Sequence, residues 1–192
     1  MDSLIVSTGV VALAEIGDKT QLLAFLLAAR FKKPVPIILG ILIATLANHG
    51  LAGALGAWIT ANLRPEVLRW VLGLSFLAMA AWTLVPDKIE EEETAIASRL
   101  GVFGATLVTF FLAEMGDKTQ VATVALAAHY AAPLMVVLGT TLGMLIADVP
   151  AVFIGDKLAG RIPMRVVHAV AAAIFAALGL ATLFGVGARF GF

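Results

Sequence analysis

The polar heptad Glu15-Ile16-Gly17-Asp18-Lys19-Thr20-Gln21 returns 99 residues later as Glu114-Met115-Gly116-Asp117-Lys118-Thr119-Gln120. The same offset, without a gap, aligns Pro34 with Pro133, Leu39-Gly40 with Leu138-Gly139, Gly56 with Gly155, Phe76 with Phe175 and Thr83-Leu84 with Thr182-Leu183. An internal repeat of this reach dictates one structural unit built twice. Whatever the heptad does, the chain does with two copies of it.

The solvent of that fold follows from composition. At 192 residues the chain is 61% hydrophobic and 14% charged, with a mean hydropathy of +1.02, far from a soluble domain of this length. A spanning helix needs about 20 mostly apolar residues. The apolar runs divide into six spans: 4–29, 35–60, 67–85, 100–128, 134–155 and 166–187. Pro34, Pro133 and Pro163 precede the second, fifth and sixth, where a missing N–H costs least. The first span opens Met1-Asp2-Ser3, without a basic n-region, and passes Asp18 without a cleavage pattern, so it reads as a mature helix. With no cysteine, disulfides and thiolate metal sites are excluded.

The expected fold is therefore an all-α integral membrane protein. Residues 1–86 form the first three-helix repeat, 87–99 an acidic linker and 100–192 the second repeat. An odd number of spans per copy makes the second enter the bilayer from the opposite face, so the repeats are inverted. In such transporters the substrate site lies near the midplane at the repeat interface. Six spans place Arg30, Lys32, Lys33, Lys88, Arg99, Lys157, Arg161 and Arg165 on one side and only Arg64, Arg69 and Arg189 on the other. The basic side is cytoplasmic by the positive-inside rule, with both termini outside. The run Asp87 to Glu93 falls in the cytoplasmic loop; it reads either as a solvated linker or as a cation-collecting or regulatory segment.

Glu15 and Glu114 lie halfway along the first and fourth spans. Each acid at a helix centre costs about 2.5 to 3.5 kcal/mol on insertion scales, so all four motif carboxylates should face the protein interior. Three positions apart on a helix, Glu15 and Asp18 share a face, as do Glu114 and Asp117; such pairs can grip one ion. Gly17 and Gly116 permit a close neighbour or an unwound turn with carbonyl ligands. Thr20, Thr119, Gln21 and Gln120 add neutral oxygens. This hard, oxygen-rich inventory suits Ca²⁺, Mn²⁺ or Mg²⁺ better than copper or zinc. The four acids and two lysines sum to minus two, which one divalent cation neutralises; its departure draws in protons. Cation/proton exchange is the mechanism these charges favour.

Lys19 and Lys118 have two readings, a permanent ion pair joining the halves or an ammonium that occupies the carboxylates when metal is absent. The offset pairs His49 with Asp148, next to Asn48 and Ala147, in the second and fifth spans. Asp148 reads as functional because burying it is costly. Asn48 and His49 read equally as hydrogen-bonded packing residues, while His49 as a ligand would favour Mn²⁺ over Ca²⁺. Gly50, Gly53, Gly56, Gly139 and Gly143 read as close-packing positions and Met115 as an apolar filler. Trp58, Trp70 and Trp82 read as interfacial anchors. The third and sixth spans show no ionisable interior residue and read as scaffold.

Two other classes compete. An intramembrane aspartyl protease would use Asp18 and Asp117, yet paired-aspartate chemistry does not call for two further glutamates and two lysines. A passive cation channel would also use rings of acids.

The doubled E-x-G-D-K-T motif, in the first and fourth of six spans with an acidic middle loop, resembles the cation exchangers that include the eukaryotic Golgi manganese and calcium/proton antiporters and short bacterial manganese exporters. The likeness covers essentially the whole chain, and no motif position departs from the pattern. It implies exchange of Mn²⁺ or Ca²⁺ for protons, cation binding by Glu15, Asp18, Glu114 and Asp117, and no prosthetic group. The short N-terminus points to the bacterial branch: a multi-pass protein of the inner membrane that exports manganese. The implied partners are the cation, protons and lipid, with no nucleic acid and with self-association left open.

Overall fold

The computed structural model describes residues 1–85, 100–154 and 164–185. The acidic linker 87–99 and Pro163 lie outside the described residues, as do Lys88, Arg99, Lys157, Arg161 and Arg189, five of the eleven basic residues that set the expected orientation. Among those described there are eight helices and no strand: α1 Asp2–Glu15, α2 Lys19–Phe31, α3 Pro34–Asn62, α4 Pro65–Thr83, α5 Gly101–Glu114, α6 Lys118–Tyr130, α7 Pro133–Ile154 and α8 Met164–Leu183.

The two copies correspond element by element at the sequence offset, α1 with α5 through α4 with α8. Even the special backbone positions repeat. Gly17 and Gly116 both have positive φ (86° and 78°), as do Lys32 and Ala131 (52° and 48°). The latter two end α2 and α6 in left-handed C-caps, and a proline then starts the next helix, because the ring pre-sets φ and needs no N–H donor there.

The first and fourth expected spans are not continuous helices. Each breaks inside the motif, into α1 and α2 and into α5 and α6. This overturns the expectation that Glu15 and Asp18, or Glu114 and Asp117, share one helical face. The cause is local: Ile16 and Met115 are extended at the C-caps, the following glycine takes positive φ, and the aspartate becomes the N-cap of the next helix. Three helices, Pro34–Asn62, Pro65–Thr83 and Pro133–Phe153, are long and apolar enough to cross a membrane, while Gly101–Glu114 and His168–Leu183 are shorter apolar helices.

The copies are intertwined. α1 packs on α7 and α5 on α3, while α3 also crosses α6 and α7, so the main contacts run between the repeats. Glycine permits these approaches. A Cβ on Gly139 would meet the backbone of Leu4, and one on its counterpart Gly40 would meet Thr106. Gly53, Gly56 and Gly143 are likewise closed in by Val137, Val124 and Thr8, whereas Gly50 has nothing within 4 Å and does not fit the packing expectation. Two apolar clusters result. One joins α1, α4, α6 and α8 around Val10, Phe76, Leu126 and Phe175. The other joins α2, α3 and α5 around Leu23, Ile41 and Phe110. Trp58, Trp70 and Trp82 are exposed near helix ends.

Candidate metal centre

Breaking the helices brings four ends to one place. α1 and α5 arrive with their C-termini, bearing Glu15 and Glu114; α2 and α6 depart with their N-termini, bearing Asp18 and Asp117. A C-terminal dipole end disfavours a carboxylate and welcomes a cation, whereas an N-terminal end stabilises an aspartate. The same short sequence thus makes a cation-seeking glutamate and a comfortable aspartate.

The turn is tied by its own side chains, identically in both copies. Asp18 N–H donates to the Glu15 carbonyl (3.0 Å) and Asp117 N–H to that of Glu114 (3.1 Å). Gln21 Oε1 accepts from Gly17 N–H at 2.9 Å, and Gln120 Oε1 from Gly116 N–H at 2.8 Å. Thr20 Oγ1 donates to Glu15 Oε2, and Thr119 Oγ1 to Glu114 Oε2. Both hydroxyls and both amide oxygens therefore hold the motif in shape instead of standing free as ligands. The amide nitrogens reach the opposite repeat at equivalent positions. Gln21 Nε2 donates to the Ala147 carbonyl (2.9 Å), while Gln120 Nε2 lies 3.5 Å from Asn48 Oδ1. Asn48 Nδ2 donates to the Phe111 carbonyl (3.0 Å), which accounts for Asn48 as a hydrogen-bonded strut.

Glu15, Glu114 and Asp117 are all buried, and one carboxylate oxygen from each lies within 4.8 Å of the others. Oxygens bound to one hard cation at about 2.0 to 2.6 Å end up this close to one another. Asp18 stands apart from this trio and pairs with Lys118, Nζ to Oδ1 2.9 Å, both side chains fully buried. Lys19 makes the reciprocal pair with Asp117 at 3.5 Å. Both ion pairs therefore cross between repeats, an arrangement that both readings of the lysines share. Glu15 Oε1 and Glu114 Oε1 have no hydrogen-bond partner among the described residues. A buried carboxylate oxygen with no donor marks a place for a cation or a proton.

Asp148 is fully buried with neither oxygen hydrogen-bonded among the described residues, and it lies within electrostatic reach of Glu15 and Glu114. It is a fifth acid at the site. His49, its counterpart, is also fully buried, and neither ring nitrogen has a partner among the described residues. At an effective dielectric of about 20, two full charges 4.8 Å apart repel by about 3.5 kcal/mol. Three ionised carboxylates in the trio would then carry about 10 kcal/mol of repulsion before the Lys19 ammonium beside Asp117 is counted, and a divalent cation or protons would relieve the rest.

One neighbour of the motif was not expected. His168, on α8, brings Nε2 to 3.2 Å from the Ile16 carbonyl, inside the broken turn. The last helix therefore does carry an ionisable residue packed against the motif. The available signal was positional: His168 and Arg69 are related by the 99-residue offset.

Residues 3–91 and 102–188 match the family model described as divalent cation/proton antiporter GDT1. The chain is 53% identical over 185 residues to a Vibrio cholerae protein named "Putative manganese exporter", covering 96% of this chain and 92% of that one. It is 30% identical over 185 residues to GDT1-like protein sll0615 of Synechocystis, covering 86% and 88% of the two chains. With GDT1-like protein 3 of Arabidopsis thaliana it shares 29% identity over 209 residues, 95% of this chain and 71% of the relative. No solved structure matches.

Proposed function

This chain belongs to the GDT1 family of divalent cation/proton antiporters, and we propose that it exports Mn²⁺ from the bacterial cytoplasm in exchange for protons, by alternating access at the carboxylate centre. A transporter family leaves no place for the protease reading. The observation that carries the proposal is the buried trio of Glu15, Glu114 and Asp117, drawn from both repeats.

The proposed topology is six spans in two inverted repeats, with the two broken helix pairs counting as one crossing each and both termini extracytoplasmic. Intertwining supports it, since each repeat buries its apolar faces against the other. The proposed ligands are Glu15, Glu114 and Asp117, with Asp148 as an additional acid and Asp18 held in reserve by Lys118. Thr20, Gln21, Thr119, Gln120 and Asn48 position them. Manganese over calcium is supported by the name of the Vibrio relative, and the buried imidazole of His49 is of a ligand type that suits transition ions.

The test is flux into proteoliposomes, comparing Mn²⁺, Ca²⁺ and Mg²⁺ at two pH values. Uphill Mn²⁺ accumulation driven by an imposed proton gradient is expected, as is its loss in Asp18→Asn and Asp117→Asn with the protein still inserted. Metal flux that only ever runs downhill, indifferent to the proton gradient, would identify a channel.

A further inference from the structure

The duplicated sequence predicts a symmetric molecule, and the helices around the carboxylates are nearly so. α4 and α8 are not. They pack tightly on each other: a Cβ on Gly179 would lie 2.9 Å from the Gly73 carbonyl oxygen, and Leu77 and Leu183 fill the remaining space. As a pair they sit against α1 and α6. The symmetry-related seat, formed by α5 and α2, makes no comparable contact with them. Of the two apolar clusters, the one on the α1/α6 side contains Leu72, Phe76 and Phe175 from the pair; the one on the α2/α5 side contains no residue of it.

Burial of equivalent positions records the same asymmetry. Ala125 on α6 is 3% exposed, but Leu26, its equivalent on α2, is 40% exposed. Ile16 is partly covered, with His168 on its carbonyl, whereas Met115 is 55% exposed. At the metal centre, the Lys118 side chain is sealed and that of Lys19 is 19% exposed. The carboxylates themselves are buried, and their surroundings are covered more completely on the α1/α6 side than on the α2/α5 side.

We propose that the α4–α8 pair is the moving gate of this transporter, seated here on one of two symmetry-related seats, and that His168 is the positioning residue that latches it to the first motif. The reasoning is energetic. Two copies of one sequence present two similar apolar seats to a single rigid pair, which can occupy only one at a time. Their energies differ only by the substitutions between repeats, so the pair has two wells of comparable depth, as a bistable packing interface requires. In the second well, Phe175 takes the place by Arg30 that Phe76 has by His129, where the ring centroids are now 5.9 Å apart. Arg69 likewise comes to the Met115 carbonyl as His168 does to that of Ile16. Opening of the α1/α6 side and closure of the α2/α5 side follow from one movement. This inference rests on the transport reading above; with the orientation proposed there, the less covered side of the observed pose faces the cytoplasm.

The chain has no cysteine, so thiol cross-linking needs no prior substitution. Two double variants in proteoliposomes test the gate: Phe76→Cys with His129→Cys for the observed seat, and Arg30→Cys with Phe175→Cys for the other. During Mn²⁺ exchange both should be captured by a short cleavable cross-linker. Locking either should reduce flux at least tenfold, and cleaving the linker should restore it. His168→Ala should raise the captured fraction of the second variant several-fold at unchanged melting temperature, an effect that a merely structural role would not produce. Flux that persists with the first variant fully linked overturns the proposal, as does an active second variant that never links. Failure of the unmodified protein to transport any of the three metals would instead remove the function on which the gate depends.

Discussion

At the scale of the residue, the two lysines separate by burial. Removing one partner of a buried ion pair leaves an uncompensated charge and costs about 3 to 5 kcal/mol. Lys118→Met should therefore lower the thermal stability of the detergent-solubilised protein strongly, and adding Asp18→Asn should recover much of the loss. Lys19→Met should cost far less, because its pair with Asp117 is longer and partly exposed. Equal destabilisation by the two substitutions would mean that the two pairs are equivalent in solution. The acids themselves were legible in the sequence, since four carboxylates in apolar spans must turn inwards. Their division of labour was not. Asp18 leaves the trio because the Lys118 that claims it comes from the other repeat, and the sequence does not say which lysine crosses to which aspartate.

At the scale of the element, the informative event is the break in α1–α2 and α5–α6. Hydropathy could not show it, because 4–29 and 100–128 read as uninterrupted apolar runs around a short polar insert. The chemistry of a break was nonetheless present in Gly17-Asp18 and Gly116-Asp117: a residue free to take positive φ, then a good N-cap. Gly116 has nothing within 4 Å of a Cβ position, so Gly116→Ala tests backbone strain without a clash. The left-handed conformation costs a residue with a Cβ about 1 to 2 kcal/mol, and relief by rewinding the turn would misplace Glu114 and Asp117. Weaker Mn²⁺ binding is expected, with a loss of stability no larger than that strain of about 1 to 2 kcal/mol and smaller where rewinding relieves it. Gly56→Ala should do the reverse, because its Cβ would lie 2.5 Å from the Val124 carbonyl oxygen and 2.8 Å from Ala127 Cβ. Overpacking of this kind costs about 1 to 3 kcal/mol and lies away from the carboxylates. Isothermal metal binding and melting curves on both variants distinguish the two effects.

At the scale of the whole molecule, charge conservation at a dry centre dictates what the exchange does to the membrane potential. Glu15, Asp18, Glu114, Asp117 and Asp148 carry minus five when ionised, and Lys19 and Lys118 carry plus two, leaving minus three. With a divalent ion bound, one proton completes neutrality; with the ion gone, three are needed. The difference is two protons per ion, and it remains two whether or not Asp148 is counted, because the ion's charge alone sets it. Exchange should therefore be electroneutral. One net charge moved across 100 mV is worth about 2.3 kcal/mol, equivalent to about 50-fold in steady-state accumulation at about 1.36 kcal/mol per tenfold. Proteoliposomes clamped at 0 and 100 mV with a potassium gradient and valinomycin, under the same pH gradient, should accumulate Mn²⁺ to the same level. A shift approaching 50-fold would mean that a charge crosses uncompensated, so that one of these carboxylates keeps its charge through the cycle and is neutralised from elsewhere, with the lysines as the first groups to test.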